Sequence, residues 1–90
     1  MKFTVIWTPT AEKDLAATWV DRVQDRAAIT RAASSIDSLL RHDPHLHGES
    51  RYDTVRILHV PPLGVDFDVQ QNDRMVFVLS VWYTRKAPQR

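Results

Sequence analysis

Residues 54–83, TVRILHVPPLGVDFDVQQNDRMVFVLSVWY, hold three apolar segments separated by two short turns. The first segment, 55–60, stops at Pro61-Pro62, where two residues without an N–H group cannot sustain strand pairing. The second segment stops at Gln71-Asn72-Asp73-Arg74, which is polar and typical of a turn. The stretch therefore predicts three consecutive antiparallel strands.

The second and third of these strands differ in pattern. In the second, Val65, Phe67 and Val69 alternate with Asp66 and Asp68, which predicts one buried face and one wet, acidic face. The third, 75–82, is apolar on both faces except at Ser80. That pattern predicts a central strand that is covered on both sides.

The residues before the three strands predict one more strand and two helices. Alternation over 3–7 indicates a strand, and Thr8-Pro9-Thr10 provides a helix start in which Thr8 or Thr10 is the cap. The first helix has an apolar stripe at a spacing of four, and the second, capped by Asp25, ends at Asp43-Pro44. The stripes are Leu15, Trp19 and Val23 in the first helix, and Ile29, Ala32, Ala33, Ile36, Leu39 and Leu40 in the second.

The polar stretch from His45 to Asp53 contains Gly48 and is predicted to be the longest loop. The order is then β-α-α-β-β-β, which predicts an α+β two-layer sandwich with a helical hairpin packed on a mostly antiparallel four-stranded sheet. Leu15, Trp19, Ile29, Ile36 and Leu40 are expected to cover the sheet. Ninety residues are too few for two cores, so residues 1–90 are expected to form a single domain.

Composition excludes several classes of protein. The chain has no cysteine, so it has no disulfide or thiol chemistry. Its apolar runs are far shorter than the roughly 18 residues of a membrane span, and it lacks a signal-peptide pattern, so we expect a cytoplasmic protein. The net charge of +1 is too small to bind nucleic acid by bulk electrostatics.

Histidines provide no recognisable metal motif. His42, His45 and His47 surround Pro44 with a spacing that matches no common zinc site, so a solvated loop is the main interpretation and a metal or acid–base role the minor one. His59 shares a strand face with Val55 and Ile57, which favours a buried or half-buried structural histidine. We expect neither metal nor cofactor.

Four segments carry a resemblance to a known family. They are 3–15 (FTVIWTPTAEKDL), 36–44 (IDSLLRHDP), and 64–69 (GVDFDV) followed by 76–81 (VFVLSV). In this order and spacing they resemble the RelE/ParE toxin superfamily over nearly the whole chain. The resemblance implies the toxin of a bacterial type II toxin-antitoxin pair, which inhibits growth and is held inactive by a cognate antitoxin that wraps the sheet and helices.

The superfamily divides by target. RelE-like members are mRNA interferases that cleave messenger RNA in the ribosomal A site, whereas ParE-like members poison DNA gyrase and have no nuclease site. RNA cleavage needs Lys/Arg to hold phosphate and stabilise developing charge, with an acid or base near the chain end. If this chain cleaves RNA, the resemblance implies catalytic Arg56, Arg85 and Tyr83, and phosphate-binding Arg51, Arg74 and Lys86.

Gly64 departs from the RelE-like pattern, because it occupies the position where an arginine commonly begins the strand. Asp66 and Asp68 also place negative charge there, which repels phosphate. These features favour the alternatives to a ribonuclease: a non-catalytic inhibitor of gyrase or another protein, or a decayed toxin that only binds its antitoxin. Trp82 either stacks on a base or, in the favoured interpretation, packs against the helices or the antitoxin.

Overall fold

The computed structural model describes residues 2–84, which form a sheet and two helices. Short 3₁₀ turns follow each helix, at Val23–Asp25 and Pro44–Leu46. In chain order the helices and strands are β1 (Thr4–Trp7), α1 (Pro9–Asp21), α2 (Arg26–Leu40), β2 (Glu49–Tyr52), β3 (Val55–Val60), β4 (Leu63–Gln70) and β5 (Met75–Tyr83). The α+β class predicted from the sequence is confirmed.

The sheet has five strands in the order β1-β5-β4-β3-β2. β1 is parallel to β5, and every other pair is antiparallel, so β3, β4 and β5 form the predicted consecutive antiparallel strands. β5 pairs with a strand on each side, which confirms its central position. This arrangement brings the first strand of the chain against the last.

The prediction of four strands is wrong, because β2 lies inside the segment expected to be a loop. All four residues of β2 are exposed, and its pairing with β3 is irregular between Ser50 and Tyr52. A short polar strand at the sheet edge has no buried face and hence no alternating apolar pattern. The periodicity of the sequence therefore gives no sign of β2.

Both helices pack on one face of the sheet. Ile29, Ile36 and Leu40 of α2 are completely buried, and they meet the inward side chains of β4 and β5. These core-facing strand residues are Leu63, Val65, Phe67, Val69, Val76, Val78 and Val81. Thr8 caps α1, since its side-chain oxygen accepts the N–H of Ala11 at 3.2 Å.

Parts of the predicted helix stripes are exposed. Trp19, which was expected to cover the sheet, is 41% exposed, and Val23 and Leu39 of the apolar stripes are 62% and 37% exposed. Val23 lies in the 3₁₀ turn after α1, where the helical spacing of four no longer applies. Trp19 lies in the cleft between the helices, because α1 and α2 diverge enough to leave it open.

The opposite face of the sheet is not covered by either helix. Along β5, the residues that alternate with the buried valines, such as Met75 and Phe77, are half-buried. The expectation that β5 is covered on both sides is therefore wrong: it is paired on both edges but packed on one face. Within residues 2–84, neither helix is long and apolar enough to cross a membrane.

Candidate functional site

A cleft between α1 and α2 is the first candidate surface. It has a volume of about 530 Å³ and an apolar floor. Trp19 is 41% exposed there and Val20 60%, and the two lie together in the cleft as one apolar patch. The lining residues are Glu12, Leu15, Ala16, Trp19, Val20, Ile29, Thr30 and Ala33. We call this the helix groove.

Arg26 contacts two residues of the helix groove, Trp19 and Val20. Its Nε donates to the carbonyl oxygen of Trp19 at 2.7 Å, and its NH2 donates to that of Val20 at 3.2 Å. The guanidinium also lies 4.0 Å from the centroid of the Trp19 ring. Arg26 therefore satisfies carbonyls at the end of α1 and holds the indole in place.

One end of the helix groove is acidic. A second cleft, lined in part by Glu12, Leu15 and Ala33, continues it toward Trp7 and Asp37. Asp37 accepts the indole N–H of Trp7 at 3.0 Å and pairs with Arg41 at 2.9 Å. An apolar cleft with polar ends fits the apolar face of a protein helix better than it fits a polar substrate. Sequence analysis placed Leu15 and Trp19 in a buried stripe and did not detect the cleft, because periodicity gives no interhelical distance.

The uncovered sheet surface is the second candidate, and we call it the open face. Cross-strand register places residues there in rows. One row joins His59, Gly64 and Trp82. The Trp82 indole lies across Gly64 so closely that a Cβ at position 64 would overlap it, and His59 meets the indole edge-on with centroids 6.0 Å apart. Gly64 is thus explained by the close approach of Trp82.

The position of this row corrects two expectations. His59 does share a face with Val55 and Ile57, but it is exposed rather than half-buried, because that face is the uncovered one. Trp82 contacts no helix, since it lies on the side of the sheet opposite both. The contacts among His59, Gly64 and Trp82 follow from the register between strands, which alternation within one strand does not reveal.

Two carboxylates lie in the middle of the open face. Asp66 accepts the Ser80 hydroxyl, and its Oδ2 lies 4.0 Å from the NH1 of Arg51. Asp68 accepts the Thr54 hydroxyl and the side-chain amide of Gln70, the latter at 2.9 Å. Neutral donors orient both carboxylates without cancelling their charge.

Arg56, implied as a catalytic residue by the resemblance, lies on the helix side of the sheet. Its register partner on β4 is the buried Phe67, and its guanidinium donates to the carbonyl oxygens of His47 and Gly48 at 2.8 and 2.9 Å. The guanidinium therefore holds the segment before β2 against β3. A positive φ of 69° at Gly48, with the Ile57 carbonyl too close for a Cβ, makes the glycine necessary there.

Tyr83 lies at the end of β5 next to the turn after α1. Its hydroxyl donates to Asp25, and the Arg22 guanidinium lies 4.1 Å from its ring centroid. Asp25 occupies the N-cap position of α2 but makes no side-chain capping bond. The phenol thus links the end of the sheet to the start of α2.

The remaining predicted site residues are spread over the molecule. Arg51 is on β2 beside Asp66, and Arg74 is in the turn before β5 with a left-handed φ of 51°. Met75 and Tyr83 are the ends of β5, about 26 Å apart at about 3.3 Å per residue, so Arg74 is far from Tyr83. Arg85 and Lys86 lie outside the described residues. Between residues 2 and 84, the structure does not bring the predicted site residues together.

The histidine segment is held by local bonds. Nε2 of His47 lies 3.1 Å from the carbonyl oxygen of His42, and Asp43 adopts a left-handed conformation before the buried Pro44. Over the described part of the chain, no group of three histidine, cysteine or acidic side chains is placed to hold a metal ion.

A family model and several solved structures match the chain. The model of the family described as ParE toxin of type II toxin-antitoxin system, parDE, matches residues 5–88. A solved structure of the chromosomal ParDE toxin-antitoxin system from P. aeruginosa is similar with a TM-score of 0.74 at 18% identity, covering 93% of this chain and 98% of that one.

Two further solved structures share the fold. The toxin-antitoxin complex RelBE2 from Mycobacterium tuberculosis matches with a TM-score of 0.66 at 19% identity, over 92% of this chain and 99% of that one. TrmO from P. aeruginosa matches with a TM-score of 0.57 at 20% identity, over 90% of this chain but 33% of that one. A search of curated proteins gives no significant match. At these identities the structural matches establish the shared fold.

Proposed function

The chain belongs to the ParE toxin family of type II toxin-antitoxin systems, and we propose that it is a toxin that arrests growth by binding a protein target rather than by cleaving RNA. The target implied by the family resemblance is DNA gyrase in the cytoplasm. The observation that carries this proposal is the engagement of Arg56 and Tyr83 in contacts within the fold. To act on RNA, the Tyr83 hydroxyl would have to give up its bond to Asp25, and Arg56 would have only the N–H groups that the His47 and Gly48 carbonyls leave unused.

Electrostatics of the open face support a protein target. By the family resemblance, Gly64 stands where a RelE-like enzyme commonly has an arginine, and Asp66 and Asp68 follow on the same strand, where each repels an approaching phosphate. Gly64 leaves no room for a longer side chain beneath Trp82, so an arginine at that position would displace the indole. The open face is therefore unsuited to the charge that develops during RNA cleavage.

The helix groove supports an antitoxin partner. Its apolar centre and polar ends match an amphipathic helix, whose apolar stripe would cover Trp19 and Val20. Burial of these side chains removes apolar surface from water, which stabilises the complex. We assign the groove to a helical segment of the cognate antitoxin.

Induction of the chain in a bacterial host tests the mechanism. Growth arrest with loss of DNA supercoiling or with DNA breaks, while transcripts stay intact, is the expected result. Cleavage of messenger RNA at the onset of arrest would overturn the proposal. Absence of any arrest would also overturn it, and would favour a decayed toxin that only binds an antitoxin.

Replacement of Tyr83 separates a structural role from a catalytic one. We expect Tyr83→Phe to lose its hydrogen bond to Asp25 but to keep full growth arrest, provided that circular dichroism shows a folded protein. Tyr52→Phe is the matched control, because Tyr52 is 56% exposed on β2. A folded Tyr83→Phe variant that fails to arrest growth would instead identify a catalytic phenol.

Substitution at position 20 tests the assignment of the groove. The product of the adjacent reading frame is the probe for the cognate antitoxin. We expect Val20→Lys to weaken its binding about tenfold or more, because the charge would be buried in the interface. Val23→Lys is the control: Val23 is 62% exposed, close to the 60% of Val20, but does not line the groove. Equal losses in the two variants would disprove the assignment.

A further inference from the structure

We propose that the open face is a second protein-binding surface, which accepts an extended basic segment of a partner protein with arginine or lysine at alternate positions. The surface lies on the side of the sheet opposite the helix groove. The inference does not depend on what occupies the groove or on whether the chain is toxic. The partner of the open face is a positively charged segment in an extended conformation.

The open face is a sheet surface that neither helix covers. Ile6, Ile57, Met75 and Phe77 lie on it by register and are half-buried. Because α1 and α2 both pack on the opposite face, these side chains contact no second layer in residues 2–84. Each side chain therefore keeps a part of its apolar surface in water, and a partner chain on this face would exclude that water.

Charge on the open face selects the partner. Asp66 and Asp68 are on the same strand two residues apart, hence about 7 Å from each other along the strand. In an extended peptide, side chains at alternate positions have the same spacing and direction. Two basic side chains separated by one residue therefore match the two carboxylates.

Arg51 shows that a guanidinium can lie beside the carboxylate of Asp66. It is the chain's own guanidinium beside Asp66, but the 4.0 Å separation and a side chain 49% exposed make it a loose contact. An ion pair at this distance, with one half-exposed side chain, stabilises the fold little. A guanidinium from a partner can displace it and bond more directly to the carboxylate.

Trp82 adds a second element of recognition for cations. Its indole is immobilised between Gly64 beneath it and His59 at its edge, and it is half-buried. It lies two positions along β5 from Ser80, which holds Asp66. A cationic side chain bound near Asp66 is thus within reach of an aromatic ring, which favours arginine through cation–π contact.

The same features exclude nucleic acid as the ligand of this surface. A phosphate on this surface would face the carboxylates of Asp66 and Asp68. Among the described residues, Asp66 has the loosely held Arg51 beside it, and Asp68 is bonded to the neutral donors of Thr54 and Gln70. A basic peptide instead neutralises the face. Because opposite charges guide the encounter, binding is expected to weaken as salt concentration rises.

Peptide titration followed by nuclear magnetic resonance tests the proposal on the full chain. The probe is a capped extended peptide with an Arg-Thr-Arg centre, and the signal is the indole N–H of Trp82, identified by its loss in Trp82→Phe. We expect a saturable shift of that signal and a smaller response of the indoles of Trp7 and Trp19. Peptides with a Glu-Thr-Glu centre or with adjacent arginines should bind at least about tenfold more weakly.

Variants that replace one aspartate with asparagine show where the peptide binds. Asp66→Asn and Asp68→Asn should each weaken the Arg-Thr-Arg peptide about threefold to tenfold, whereas Asp21→Asn, an exposed aspartate at the end of α1, should leave it unchanged. Equal effects of all three would overturn the proposal. If an open-face variant does not fold, the comparison of peptides on the unmodified chain still decides the question.

Three other outcomes would also overturn the proposal. They are equal affinity for the glutamate peptide, tighter binding of a single-stranded RNA of similar length, and movement of the Trp82 signal with protein concentration alone, which would identify a second copy of the chain as the occupant. Loss of growth arrest or of antitoxin binding would have no bearing on these measurements. Failure of this inference is therefore distinguishable from failure of the proposed function.

Discussion

A neighbouring side chain on another strand explains why residue 64 is a glycine. In the sequence Gly64 marks the absence of an arginine, and in the structure it provides the space that the Trp82 indole occupies. Its backbone is not in the left-handed region, so conformational freedom is not the reason for the glycine. Contact with the indole is the reason.

Gly64→Ala should therefore destabilise the protein through Trp82. Adding one methyl group against a fixed ring typically costs about 1–3 kcal/mol, and we expect a loss in that range in urea unfolding. In a Trp82→Leu background the same change should cost less than about 0.5 kcal/mol or be stabilising, since alanine suits an unobstructed strand better than glycine does. Equal costs in both backgrounds would show that the indole is not the obstacle.

Single residues are also where prediction from sequence fails most. The identities of Arg56 and Tyr83 suit RNA chemistry, but no sequence pattern shows that one guanidinium bonds to two loop carbonyls or that one phenol bonds to Asp25. Alternation did place His59 on the correct strand face. It did not show which face the helices cover, and so His59 was expected to be half-buried.

At the scale of elements, the helix hairpin depends on one arginine. Arg26 is the first residue of α2, yet its side chain bonds to the last turn of α1 and lies on the Trp19 ring. The carbonyls of that turn have no partner within α1 itself. Arg26 thus fixes the angle at which α1 enters the turn and the position of one wall of the helix groove.

Arg26→Ala should lower stability by about 1–2 kcal/mol, because it removes two hydrogen bonds to carbonyls and one cation–π contact. For a domain of this size a loss of 1 kcal/mol corresponds to a fall of about 4–8 °C in Tm. Arg31→Ala is the matched control on an exposed position of the same helix. Calorimetry that gave the two variants the same Tm would contradict a capping role for Arg26.

The strands that the sequence predicts, β3, β4 and β5, each bury apolar side chains, and β2, which it does not predict, buries none. β3, β4 and β5 were predicted because each carries apolar residues at regular positions, and such a pattern follows from burial of one face. β2 was missed because all four of its residues face water, and it pairs with β3 through backbone bonds that any sequence can make. The guanidinium of Arg56, on the helix side of β3, bonds to the carbonyls just before β2.

Arg56→Met should therefore loosen β2 in particular. Methionine keeps much of the aliphatic length but leaves the carbonyls of His47 and Gly48 without their donor, at a cost of about 1–2 kcal/mol. We expect amide hydrogen exchange to accelerate within 47–52 more than in β4. Arg31→Met is the control for the loss of a charge. Uniform acceleration throughout the sheet would indicate that Arg56 stabilises the whole domain instead.

At the scale of the whole molecule, the ends of the described chain are joined. β1 pairs with β5, the Thr8 hydroxyl donates to the carbonyl of Val78 at 2.8 Å, and the N–H of Val81 donates to Asp14 at 3.1 Å. The N–H of Phe3 also donates to the carbonyl of Arg41 at 2.7 Å, beyond the end of α2. Because the first strand is bonded to the last one, we expect these two parts of the chain to unfold together. The single domain expected from the chain length stays a prediction, and the cooperativity of unfolding tests it.

Three tryptophans lie in separate parts of the fold, so they can test whether the domain unfolds as one unit. Trp7 bonds to Asp37 beneath the helices, Trp19 is in the helix groove, and Trp82 is on the open face. In variants that keep one tryptophan and replace the other two with phenylalanine, each fluorescence transition should coincide with the loss of circular dichroism in that same variant. Comparing probes within one variant removes the effect of the substitutions on stability. An earlier transition for Trp19 alone would mean that the helix groove opens before the sheet melts, and a single cooperative domain would then be excluded.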